Sequence, residues 1–192
     1  MSALRTGVFQ YDGADLRPAE RLARLAEAIA HRQLDLVVCP ELFMSGYNVG
    51  SNLHALAEPS DGGFARRVAD LARQTGSAIC YGYPERDGDT VYNSALVVSR
   101  TGKPVANHRK LAIPPGMERD WFTAGDGPTH FELGGMNCAL LICYDVEFPE
   151  TVRAACLAGA EVVLIPTALA AQWDQVAHRV VPARAFENGC YA

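Results

Sequence analysis

The sequence predicts a layered α/β or α+β domain around a central mixed sheet. Two observations carry this. Strand-like and helix-like stretches alternate along the chain, and Gly- and Pro-marked turns separate them without any internal repeat. The 192 residues are 49% hydrophobic and 20% charged, enough for one ordinary globular core.

Taken in order, Thr6 to Gln10 reads as a first strand. Pro18 to Arg32 reads as a helix, because Leu22, Leu25, Ala26 and Ile29 fall on one face. Leu34 to Cys39 is a strand whose second half is buried. Phe64, Val68, Leu71 and Ala72 mark a second helix that Gly76 closes. Ser77 to Tyr83 and Tyr92 to Ser99 form a hairpin about Asp87-Gly88-Asp89. Ala106 to Lys110 is a short strand, and a loop runs from Pro114 to about Pro128. Cys138 to Tyr144 is a continuous apolar strand. Pro149 to Gly159 is helical, Glu161 to Pro166 is a strand, and Gln172 to Asn188 is helical with a restart at Pro182. Cys190-Tyr191-Ala192 reads as the opening of another strand.

Composition narrows the function. The net charge is −5 with no long like-charge run, so nothing marks a nucleic-acid or anionic-membrane footprint. No window approaches the ~18 apolar residues of a membrane helix. The N-terminus has no apolar core of signal-peptide length, and a cytoplasmic chain is expected. Its six cysteines are then thiols rather than bridges, and none has zinc-site spacing. Cys39, Cys80, Cys138, Cys156 and Cys190 read as core thiols, and His108 as a neighbour of the adjacent basic residues.

Three places ask for more than packing. Val37-Val38-Cys39 is a buried strand that runs into Pro40 and then Glu41, at the strand end where α/β sheets bind ligands. Lys110 ends the basic cluster His108-Arg109-Lys110. Leu140-Leu141-Ile142 ends in Cys143, followed by Tyr144-Asp145 and a Pro149 helix start, which is the grammar of a nucleophile on a tight strand-to-helix turn. A Cys, a Lys and a Glu placed just beyond three strands are the parts of a thiol hydrolase: nucleophile, cation for the thiolate and oxyanion, and proton carrier.

Those blocks resemble the signatures of the nitrilase superfamily, the carbon–nitrogen hydrolases. They are Cys39-Pro40-Glu41-Leu42-Phe43, His108-Arg109-Lys110-Leu111, and Ile142 to Glu150. Tyr92-Asn93-Ser94-Ala95, Phe122 to Asp126 and Ala183 to Asn188 match secondary signatures. The resemblance implies a four-layer αββα sandwich over residues 1–192, a single domain that lacks the C-terminal part of the usual one. It implies Glu41 as general base, Lys110 as oxyanion partner, Cys143 as nucleophile and Glu118 as a second glutamate. The backbone N–H of Tyr144 joins Lys110 at the oxyanion. Tyr47, Thr167, Ala168 and Trp173 are candidate substrate contacts. Cys-Tyr-Asp-x-x-Phe-Pro-Glu is similar to the amidase branches, so a small amide is the expected substrate, with no metal or organic cofactor. Ureido-acid hydrolysis, nitrile hydrolysis and, as a non-enzyme, an inactive fragment or interaction subunit of the same fold are the alternatives. A homodimer through the helix after Cys143 and the helix ending at Asn188 is implied.

Overall fold

Alternating side chains build two sheets that share one core. The computed structural model describes residues 3–12, 15–50 and 52–192. The first sheet has the order β1 (Thr6–Val8), β2 (Leu36–Val38), β3 (Ala78–Asp87), β4 (Thr90–Val98), β5 (Pro104–Arg109). β1, β2 and β3 run parallel, and β3, β4 and β5 antiparallel. The second sheet has the order β6 (Thr129–Leu133), β7 (Met136–Leu140), β8 (Val162–Leu164), with β6 antiparallel and β8 parallel to β7.

Period-two alternation assigns each residue to a layer. Leu36, Ala78, Cys80, Ala95 and Val97 face Leu140, Ile142 and Leu164 across the space between the sheets. Val37, Ile79, Tyr81 and Leu96 point the other way, against α1 (Pro18–Ile29) and α3 (Gly63–Thr75), through Leu25, Ile29, Phe64, Val68 and Leu71. On the far side of the second sheet, Leu141 and Val163 meet Val152 of α5 (Pro149–Leu157) and Val176. The layers are therefore α, β, β, α, as expected.

The helix ends follow their local chemistry. α1 begins with Pro18, and Glu20 accepts the Arg17 N–H at 2.8 Å. α3 ends at Gly76, whose φ of 68° is the left-handed region open to glycine.

Several sequence expectations need correction. The 114–128 stretch is not all loop: it holds the short helix α4 (Met117–Trp121). α2 (Asn52–Leu56) and β6 were not expected at all. Ladder pairing in β7 stops at Leu140 instead of reaching Tyr144: Cys143 N–H still donates to the Pro166 carbonyl on the β8 side, but Pro166 has no N–H to donate back, and Cys143 opens a 3-10 turn over Cys143–Glu147. The helix expected from Gln172 to Asn188 with a restart at Pro182 is present, but it is not α-helical throughout. Pro182 has no N–H to continue the ladder, and before it the chain widens into a π turn over Val176–Val180, closed by Val181 N–H on the Val176 carbonyl. α6 (Val181–Asn188) follows. Cys156 and Cys190 are half-buried rather than core thiols. Tyr191 does pair beside β8, bridging to Val162 as a strand opening should.

Candidate active site

Each of the three signature residues lies just past a strand, on a turn that a neighbouring element holds. After β2 the chain crosses β3: Cys39 N–H donates to the Cys80 carbonyl and Met44 N–H to Gly82. Leu42 takes a left-handed φ of 48° in this turn. Gly82 makes the crossing possible, since a Cβ there would lie 2.3 Å from the Leu42 nitrogen. Lys110 follows β5 and is pinned on both sides. Its N–H donates to the Asn93 carbonyl, and its carbonyl accepts the Gly125 N–H, each at 2.8 Å. Cys143 heads the turn after β7 with a φ of 43°, a left-handed conformation that a non-glycine residue keeps only where its surroundings hold it.

These turns bring four charged or ionisable groups together. The Lys110 Nζ donates to Glu41 Oε1 at 2.7 Å and to both Glu118 oxygens at 2.8 and 2.9 Å. The Lys110 and Glu41 side chains are fully buried and Glu118 nearly so. Asn93 Nδ2 bridges the carboxylates, donating to Glu41 Oε1 at 2.8 Å and Glu118 Oε2 at 3.1 Å. Tyr47 Oη donates to Glu118 Oε1 at 2.5 Å. The Ala168 N–H donates to Glu41 Oε2 at 3.2 Å.

The charges set the protonation preferences. Burial pushes the Glu41 carboxyl above its ordinary value; Lys110 opposes this and Glu118 adds to it. Burial alone would pull the Lys110 ammonium down, but the two carboxylates overcome it and hold the ammonium above its ordinary value. Burial also pushes the Cys143 thiol up, and Glu41 pushes it further, while Lys110 and the Ala168 amide pull it back. The resting cysteine is therefore a thiol beside a carboxylate, and needs a base to become a nucleophile.

The remaining expected residues divide. Glu118 joins the cluster from α4. Tyr47 touches Glu118. Ala168 contributes its backbone amide. Thr167 instead turns its hydroxyl to the Ile165 carbonyl at 2.8 Å. Trp173 is 51% exposed. Tyr144 lies beside Cys143, its ring edge-on to Phe148. Asn93 is not among the residues expected from sequence; the signal for it is a polar residue inside a buried strand, within Tyr92-Asn93-Ser94-Ala95. Among the described residues no cluster of three or more His, Cys, Asp or Glu is placed to hold a metal ion. No helix among them is long and apolar enough to cross a membrane.

The family model for carbon-nitrogen hydrolase matches residues 5–192. The chain belongs to the carbon-nitrogen hydrolase family. Among its relatives, a Pseudomonas protegens protein described as a hydrolase in the pqqF 5' region is 42% identical over 195 residues, covering 100% of this chain and 68% of that protein. An (R)-stereoselective amidase of a Pseudomonas species is 35% identical, covering 98% of this chain and 69% of its own length. The crystal structure of an amidase from a Nesterenkonia species superposes with a TM-score of 0.89 at 33% identity, over 98% of this chain and 74% of that one. Other structures of that amidase show Michael addition of acrylamide at its active site cysteine, and a mutant in complex with butyramide. This carbon-nitrogen hydrolase chain thus spans roughly two thirds to three quarters of these proteins.

Proposed function

We propose that the chain hydrolyses a small amide to acid and ammonia through a thioester on Cys143. The observation that carries this is the buried Lys110 ammonium held between Glu41 and Glu118 next to a cysteine on a left-handed turn. Glu41 Oε1 is committed to Lys110 and Asn93, whereas Oε2 receives only the 3.2 Å amide bond from Ala168. Oε2 is the oxygen free to take the thiol proton.

The sulfur then attacks the amide carbonyl, and the carbonyl electron pair moves to oxygen. Lys110 and the Tyr144 N–H face that oxyanion. Protonated Glu41 returns its proton to the nitrogen, the C–N bond breaks and ammonia leaves. In the second half Glu41 takes a proton from water, the hydroxide attacks the thioester, the C–S bond breaks, and protonated Glu41 returns its proton to the sulfur as the acid departs. Glu118, held by Tyr47 and Asn93, keeps Lys110 oriented and takes no proton. The net charge of the site stays at −1 throughout, so no step adds an unpaired buried charge.

Thr167, Ala168 and Trp173 follow β8 and border the substrate's approach; Ala168 is the contact nearest the chemistry, through its amide. The chain works in the cytoplasm and pairs as a homodimer. The exposed apolar side chains Leu157 on α5 and Phe186 on α6, 79% and 91% exposed, support that pairing, and size-exclusion light scattering tests it.

Trapping tests the chemistry. Glu41→Gln has no base for the thiol or for water and should lose turnover, whereas the wild-type chain quenched in acid during turnover should carry the acyl group as an intact-mass adduct on Cys143. An adduct on another residue, or a Glu41→Gln variant that turns over normally, contradicts the assignment.

A further inference from the structure

Asp145 is a fully buried carboxylate that the proposed reaction does not use. It stands two residues beyond Cys143. Its Oδ2 accepts the Ile142 N–H at 2.9 Å, and its own N–H donates to the Ile142 carbonyl at 2.9 Å. These two bonds close a ring around Cys143 and Tyr144. Its Oδ1 reaches a different segment, accepting the Leu111 N–H at 3.0 Å and the Ala112 N–H at 2.7 Å. Those amides directly follow Lys110. His108, two residues before Lys110 and also fully buried, places Nε2 at 3.3 Å from Oδ2 and Nδ1 at 3.2 Å from Thr129 Oγ1.

We infer that Asp145 is a positioning residue: it ties the left-handed turn of Cys143 to the backbone that carries Lys110, with His108 braced behind it. The inference rests on the site reading above. No other hydrogen bond among those described joins these two segments so close to both residues. The tie requires a carboxylate. Three backbone N–H groups from two directions need an acceptor on each side. An amide offers one acceptor oxygen and an NH2 group that would face an N–H. Asp145→Asn must therefore release either Ile142 or the Leu111–Ala112 pair, whichever way it turns. The strained φ of Cys143 and the Lys110 approach then lose their common reference.

The test is Asp145→Asn in the full chain, with kcat, KM and the rate of Cys143 alkylation by iodoacetamide measured on protein shown to be folded by near-ultraviolet circular dichroism. A displacement of the reacting groups should lower kcat and the alkylation rate about tenfold or more, with KM held within about twofold. A role confined to stability would lower the melting temperature and leave all three unchanged per folded molecule. A folded Asp145→Asn with wild-type kcat and alkylation overturns the proposal. If the variant does not fold, amide hydrogen exchange on the wild-type chain decides. The Leu111, Ala112 and Ile142 amides should exchange as slowly as the central amides of β4, and exchange within seconds overturns the clamp. Alkylation reads thiol placement without turnover. A wild-type chain inactive on amides therefore counts against the reaction proposed above, and the clamp is then judged on alkylation alone.

Discussion

The backbone of Glu41 lies directly on Gly82. A Cβ at position 82 would stand 2.8 Å from the Glu41 Cα and 2.3 Å from the Leu42 nitrogen. The same arrangement recurs under Lys110, where a Cβ on Gly125 would fall 2.3 Å from the Arg109 carbonyl oxygen. Both charged partners thus ride on glycine backbones, and neither turn has a flexible side chain beneath it to yield.

Gly82→Ala therefore has to move the Glu41 turn. Overpacking of this kind costs about 1–3 kcal/mol, and a shift of about 1 Å at a reacting group costs on the order of 100-fold in rate. A thermal melt and kcat on the same preparation check both. A Gly82→Ala chain with wild-type rate and melting temperature would show that the turn has slack.

Lys110→Met leaves two buried carboxylates facing one another without their cation. Removing one partner of a buried ion pair costs about 3–5 kcal/mol. Denaturant unfolding reads that loss. Losing an oxyanion donor should also lower kcat about 100- to 1,000-fold. The double variant Lys110→Met with Glu118→Gln should recover part of the stability and none of the rate.

The pH dependence follows from Glu41. The reaction needs it ionised, and burial raises its pKa above the ordinary 4.5, so the acid limb of kcat/KM should lie above the ordinary carboxylate range. Stability should move the opposite way. Between the unfolded value and the raised folded one, the native state binds more protons than the unfolded state. The contribution of Glu41 to stability therefore falls as pH rises through that window. Glu41→Gln should remove this slope from the unfolding free energy. A slope that survives the substitution assigns it to another group.

Tyr47→Phe deletes the 2.5 Å hydrogen bond to Glu118 while keeping the ring. A hydrogen bond to a charged group is worth about 1.5–3 kcal/mol. If Tyr47 holds Glu118 for Lys110, kcat should drop about tenfold or more with little change in KM. A change confined to KM would instead make Tyr47 a substrate contact, the role assigned to it from sequence alone.

Much of the fold and the charged centre could be read from residues alone, for physical reasons. Helical spacing of Leu22, Leu25 and Ile29 and the apolar run ending at Cys143 are local signals, and each reacting group sits where a strand stops. What could not be read depends on sheet order. Asn93 is 52 residues from Glu41, and they meet only because β3 and β4 pair in register beside β2. Asp145 looks like one acid among several until the strand-to-turn path sets its oxygens against Leu111, Ala112 and Ile142. α4 is five residues long and follows Pro114-Pro115-Gly116, so its loop signals outweighed its helical ones. β6 carries its alternation openly, with Phe131 and Leu133 packing between the sheets, but its pairing with β7 through the two-residue turn Gly134-Gly135 is a tertiary fact that the alternation alone does not fix.

The most direct test of the central claim is ammonia release from aliphatic, aryl and amino-acid amides, ureido acids and nitriles, with Cys143→Ala as the blank. The account predicts ammonia from amides with the wild-type chain and none with Cys143→Ala. Amide hydrolysis by Cys143→Ala at the wild-type rate would contradict it.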